Sequence, residues 1–408
     1  MEAYQKDIIK LIDECRKDEK FLKMGRPLVE WRSMVVSNGV AKKPLKLMDS
    51  LAARYSEFLN RLWGSSSSRT AISPFDVAKW LCTKANDVGA EQAFQYFLDF
   101  TNNHTVPLHL ISLVEGVYPG QTYYFDNDTY ICGFDALPVG VKERINADWY
   151  DISRDYPGDR PAFIVTTVKQ NVLNEHEDDD VARDEGRALY DILDSHTEKA
   201  NFLSLFTKEY GAVITRKRML FDDTMPCSGV IDVNIISALQ LLRPFYNEDV
   251  YFDEKDTLMK VFGHYSALNA NTKGAVELAL KRKTTSMNAH DLVDRAVDLG
   301  MCAESILTQS KSSDQLSLQV RLLGAKLSSD DYKEREMNYN YLKAFYKIRS
   351  TAVHNAMVSE FEKVRDVGSK VPSRDVLDKA SSILSSCILK VIDLGGLNDF
   401  EKELYMLK

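Results

Sequence analysis

The chain has 408 residues, 44% of them hydrophobic and 27% charged, and carries a net charge of -8. Such a length accommodates two or three domains with more than one hydrophobic core, and the composition is that of ordinary globular proteins rather than disordered or fibrous ones. The negative balance argues against a surface coated with basic patches, because non-specific nucleic-acid affinity scales with the number of phosphates neutralised; it leaves room for a local site.

No uncharged apolar run of about 18 or more residues occurs, so no membrane span is expected. The first residues alternate charge with Ile and Leu, unlike a signal peptide, and a cytoplasmic location is the expectation. The cysteines, Cys15, Cys82, Cys132, Cys227, Cys302 and Cys387, are scattered, with no CxxC pair and no histidine at metal-ligand spacing. They read as buried reduced thiols.

Residues 1–100 read as helical. Ile8, Ile9, Leu11 and Ile12 form one apolar stretch, and Leu47, Leu51, Tyr55, Leu59 and Leu62 repeat at helical spacing in another. The run Gly64-Ser65-Ser66-Ser67-Ser68 that follows is a flexible connector by composition. After Asn103 the texture changes to short apolar or alternating runs at 106–114, 122–131, 162–168, 212–220 and 230–235, bounded by Gly, Pro, Asn and Asp, which predict strands. A helix at about 187–206 interrupts them, so residues 101–285 form a mixed α/β region. Its acidic lead-in, from Glu175 to Asp180, reads as a solvated loop rather than a metal site.

From Asn288 onward four amphipathic helices can be drawn. The first takes Asn288 as N-cap with Asp291 three residues on, and carries Val293, Ala296, Val297, Gly300 and Leu307 on one side. The second carries Leu316, Val320, Leu323 and Leu327. The third opens near Ser329 with Asp330 and Asp331 at its N-terminus and runs through Leu342, Phe345, Tyr346, Arg349 and Val353. The last starts at Pro372-Ser373, carries Val376, Ala380, Ile383, Leu384, Cys387, Ile388 and Val391, and stops at Gly395-Gly396. Joined by short links, they specify a bundle over residues 286–408. The fold class expected is α+β: an N-terminal helical and mixed α/β region followed by an all-α four-helix bundle.

The third helix contains Tyr346-Lys347-Ile348-Arg349-Ser350-Thr351-Ala352-Val353-His354-Asn355. Arg349 continues its apolar stripe, so the cation points toward packed surface and needs an anionic partner. Glu304, on the apolar edge of the first helix, is the candidate. Position i+5 lies about 140° around a straight helix from position i, so Arg349 and His354 meet on one ligand only through a bend or a second copy of the chain.

With Arg-x4-His in a helical bundle, preceded by an aromatic-rich Tyr-x-x-Arg-Ser segment, the region from Met287 to the final helix resembles the HEPN superfamily, particularly its Apea-like branch. Tyr346, Arg349, Ser350, His354 and Glu304 match it. The resemblance implies a metal-independent endoribonuclease without cofactors, working as a homodimer or higher even oligomer, often as a toxin or antiviral effector. Arg349 would bind the scissile phosphate with Tyr346 and Asn355 beside it, and His354 would move protons, with Glu304 and Ser350 completing the catalytic set. Members of the superfamily often carry a polar residue directly after this arginine, and Ser350 fills that place with a hydroxyl but no charge. The same resemblance allows a non-catalytic module that dimerises and binds nucleic acid. By analogy of layout, the N-terminal region would sense a phage-derived or regulatory trigger.

Other chemistry has weaker footing. His104 and His109 flank Pro107 with no Cys or Asp to complete a metal set, Asp159 and Lys169 lack the spacing of a PD-(D/E)xK nuclease, and neither a phosphate-binding Gly loop nor a G-x-S-x-G elbow is present.

Overall fold

The computed structural model describes residues 2–24, 42–59, 62–63, 70–102, 105–138, 140–142, 144–145, 161–171, 179–222, 225–228, 233–236, 248–252, 256–308, 316–365, 367 and 370–397. The serine-rich connector at 64–68, His104, Asp159 and residues 175–178 of the acidic lead-in lie outside them. The architecture is α+β. Among the described residues no helix is long and apolar enough to cross a membrane.

The N-terminal third is helical: α1 (Ala3–Cys15), α2 (Glu19–Lys23), α3 (Lys42–Arg54), α4 (Ser56–Leu59), α5 (Pro74–Val88) and α6 (Ala90–Asn102). The single helix expected through Leu62 breaks at Tyr55, and Leu62 belongs instead to a two-residue strand, β1 (Leu62–Trp63), paired with β2 (Thr70–Ala71). Helix α5 is fixed by its sequence: Ser73 caps it, Pro74 takes the first position, and the Asp76 carboxylate accepts from the Ser73 amide in return.

Next come β3 (Thr105–Glu115), β4 (Val117–Pro119), β5 (Tyr123–Tyr124), β6 (Thr129–Gly133) and β7 (Ala162–Asn171). Helix α7 (Asp179–Leu203), β8 (Val213–Phe221), β9 (Val233–Ile236) and β10 (Glu248–Val250) follow. The main sheet is antiparallel with order β5-β6-β7-β3-β8-β9. The strand expected over 122–131 is two strands, because the Asp126 carboxylate accepts from the amides of Asp128 and Thr129 and turns the chain between them. Asp179 and Asp180, expected in a loop, open α7 instead.

Alternation along the strands gives the sheet two apolar faces. Ile111, Leu113, Phe163, Val165 and Leu220 pack on one. Leu108, Leu110 and Met219 on the other meet the N-terminal helices. Helix α7 lies across this second face through Leu189, Leu193, His196 and Ala200, residues at helical spacing and all buried.

The C-terminal part comprises α8 (Thr257–Ser266), α9 (Ala270–Met287), α10 (Leu292–Leu307), α11 (Leu316–Ser328), α12 (Tyr332–Asn355) and α13 (Ser373–Asp393). Between the last two lies a hairpin of β11 (Phe361–Lys363) and β12 (Lys370–Pro372). Its Glu362, buried, pairs with Lys347 of α12 at 2.7 Å. One apolar cluster runs from the sheet (Val114, Ile164, Ile214) through α7, α8 and α9 into α10–α13. The expected boundary near 285 therefore falls at the end of α9, which packs along α10.

Asn288 does not cap α10. It ends α9, and its side-chain amide takes both backbone groups of Gly211, each at 3.1 Å, while Asp291 caps α10 by accepting from the amides of Val293 and Asp294. Asp331 caps α12, and α13 starts at Ser373 and ends before Gly395 and Gly396, both at positive φ. All six cysteines are buried, and no disulfide joins any two of them.

Candidate functional site

Arg349 sits on α12 where that helix crosses α10. Leu342, Phe345 and Ile348 bury the same helix in the bundle core, so the arginine is held at the margin of a packed face, its side chain 23% exposed. Its Nη2 lies 2.9 Å from Oε1 and 3.2 Å from Oε2 of Glu304, the partner expected from the sequence. Tyr346, one turn before Arg349, donates its hydroxyl to Glu304 Oε1 at 2.8 Å, and its ring centroid lies 5.6 Å from the guanidinium carbon. Burial and this hydrogen bond push the Tyr346 hydroxyl up to about 12, so it stays a protonated donor at neutral pH.

Arg349 and Tyr346 share the Glu304 carboxylate, a compact arrangement that fixes the rotamer of Arg349. Only one guanidinium nitrogen is used: Nε is buried without a partner, and among the described residues Arg349 has no other hydrogen-bond acceptor. The sequence sets Gly300 on the apolar side of α10, with Val293, Ala296 and Val297, and carries no sign of its role. Gly300 lies one turn before Glu304 on α10, and a Cβ there would come within 2.6 Å of Arg349 Cγ. A missing side chain is what lets the arginine stem pass over α10 to reach the glutamate.

His354 is elsewhere. Helix α12 is unbroken from Tyr332 to Asn355, so the motif supplies no bend, and the two residues remain about 140° apart around it. Residues Val353 to Ala356 are all exposed; Val353 at 46% no longer continues the apolar stripe, because in the last turn it is Ala352, 3% exposed, that faces the core. The turn closes with Ala356 at φ 51, a left-handed cap made without glycine. Among the described residues His354 and Asn355 make no side-chain hydrogen bond or ion pair, and neither does the half-buried Ser350. The structure thus joins Arg349, Glu304 and Tyr346, and leaves His354, Asn355 and Ser350 apart from them.

His109, set aside as a metal ligand, hydrogen-bonds Thr167 at 3.0 Å and lies 3.5 Å from Asp222. No family model matches the chain, and no curated protein or solved structure matches it either.

Proposed function

We propose that residues 286–408 form an HEPN-type, metal-independent endoribonuclease that acts as a dimer or a higher even oligomer, in antiviral defence or as a toxin. The observation that carries this reading is Arg349, oriented by Glu304 and Tyr346 at the margin of the bundle with part of its donor fork unused, on the same helix as an accessible His354.

The chemistry suits these groups. An RNA 2′-hydroxyl attacks the adjacent phosphorus while the 5′-oxygen leaves, giving a 2′,3′-cyclic phosphate and a 5′-hydroxyl. An arginine stabilises the charge gathering on the phosphoryl oxygens, and an imidazole exchanges the proton at the attacking or leaving oxygen. Ser350, Asn355 and Tyr346 would position the substrate or the catalytic pair. In this reading residues 1–285 regulate the nuclease in response to a phage-derived or other trigger, and the protein works in the cytoplasm.

The test is incubation of the purified protein with RNA in excess EDTA. Cleavage that persists and leaves 2′,3′-cyclic phosphate ends supports the reading. Loss on chelation, restored by magnesium, would move the chemistry elsewhere. A second reading, a non-catalytic HEPN module that dimerises and binds nucleic acid, is favoured by the neutralisation of Arg349 by Glu304 within one chain. Under that reading RNA is bound but not cut.

A further inference from the structure

A cleft of 980 Å³ opens where β6 ends and β7 continues beyond it, roofed by α7. Thr129, Thr166, Asp126, Ser195 and Lys199 are among the residues lining it. The wall below is a chain of hydroxyls and one imidazole: Ser112 to His196 Nδ1 at 2.8 Å, His196 Nε2 to Thr166 at 2.8 Å, and Thr166 to Thr129 at 2.9 Å. Each partner is satisfied by the next, so this wall is rigid and internally complete.

Lys199 is not complete. It is 8% exposed, yet among the described residues Nζ donates only to Ser195 Oγ, at 3.1 Å, and otherwise faces the Phe262 ring at 5.5 Å. Ser195 in turn gives its proton to the Ile192 carbonyl, so it neutralises nothing. Among the described residues no carboxylate lies within ion-pair distance of Nζ. Asp126 and Glu198 favour its charge from farther off, and one oxygen of each is engaged elsewhere: Asp126 Oδ1 accepts from the amides of Asp128 and Thr129, and Glu198 Oε1 accepts from the Tyr265 hydroxyl and lies 3.4 Å from Lys273. A buried ammonium without a close counter-charge is costly, and a cleft of a size that suits a small metabolite lies against it.

We propose that this cleft binds a small molecule through a carboxylate seated on Lys199 Nζ. A single negative charge fits better than a phosphate dianion, because Asp126 and Asp128 line the same cleft and repel a second charge, and the only further cation among the described residues of the lining, Lys169, is solvent-exposed and screened. The hydroxyls of Thr129 and Ser195 remain near enough to orient a polar substituent. This site is independent of the ribonuclease reading, since it lies on the sheet and uses none of the same residues.

Acetate is the simplest probe. Thermal melting of the full chain is followed in acetate, phosphate and chloride at equal ionic strength, for the wild type and for Lys199→Met. The expected result is a saturating rise of roughly 2 °C with acetate, larger than with phosphate, in the wild type alone. Without acetate, Lys199→Met should melt at or above the wild type, since an uncompensated buried charge has been removed. No response to acetate, an equal response in the variant, or a stronger effect of phosphate would each overturn the proposal. A measurement on the wild type alone stands beside it: acetate should slow acylation of Lys199 several-fold relative to exposed lysines, read by peptide mass spectrometry. Unchanged labelling would count against the site.

Discussion

A Cβ placed on Gly300 would lie 2.6 Å from Cγ and 3.0 Å from Nε of Arg349, distances at which one of the two residues must move. Arg349 reaches Glu304 across that gap, so Gly300→Ala should displace the guanidinium from its carboxylate. The expected cost is about 1–3 kcal/mol of stability from overpacking and a loss of roughly 10²-fold in RNA cleavage from misplacing the arginine. Gly274→Ala is the control: nothing lies within 4 Å of its added Cβ and the site is helical, so melting should hold or rise by about 0.5–1 kcal/mol equivalent. Full cleavage by Gly300→Ala would separate Arg349 placement from activity.

His354→Ala should leave the melting temperature nearly unchanged, because the side chain is exposed and makes no hydrogen bond among the described residues; surface substitutions of this kind stay within about 0.5 kcal/mol. Cleavage should fall by about 10²- to 10⁴-fold if the imidazole transfers a proton. Both quantities come from one purified preparation, and undiminished cleavage would remove His354 from the mechanism.

His196 gives the fold an acid-sensitive point. Burial, with smaller contributions from Lys199 and Lys217, drives its pKa down to about 3. The unfolded chain therefore binds a proton near pH 6.5 that the folded chain refuses, so stability is full above pH 6.5 and falls as pH drops toward 3. Between pH 6.5 and 5 the loss is about 2 kcal/mol. Denaturant titrations at the two pH values, compared between the wild type and His196→Gln, isolate this contribution from the acidic residues. An equal pH dependence in both proteins would refute it.

The parts of this fold legible in the sequence are those written in local pattern. Asp331 before α12, Pro372-Ser373 before α13 and Gly395-Gly396 after it are capping chemistry within a few residues of the element they bound. Glu304 was legible because it continues an apolar helix edge that must face something charged. Asn288 misled for the same reason: it has the residue type of an N-cap, but its amide is spent on Gly211, 77 residues away. The turn at Asp126 was readable in Asp126-Asn127-Asp128, yet the apolar residues on either side joined it into one strand. Helices α8 and α9 and the hairpin after α12 went unread, since α9 carries little amphipathic contrast and the hairpin strands are three residues each. The hydroxyl relay to His196 depends on partners brought together by the sheet and α7, which no spacing announces.

The separation of Arg349 and His354 on an unbroken helix leads to a prediction about assembly. Within one chain Arg349 is bound to Glu304 on α10, whereas His354 stands in the exposed final turn, so a site using both groups draws them from two copies of α12. An isologous contact that brings each α12 against its own equivalent can place one chain's arginine by the other's histidine. Light scattering should then give a dimer, or an even multiple, at concentrations where RNA is cut. A monomer cutting at full rate would end this model. Mixing Arg349→Ala with His354→Ala chains tests it more sharply, because in the proposed mechanism each should be inactive alone. Where one cleft needs an arginine from one subunit and a histidine from the other, random pairing leaves half of the dimers mixed, and each mixed dimer rebuilds one of its two clefts. Recovered activity should therefore approach about a quarter of wild type. No recovery, with heterodimers confirmed by native mass spectrometry, would mean that both arginines and both histidines act in a single shared cleft.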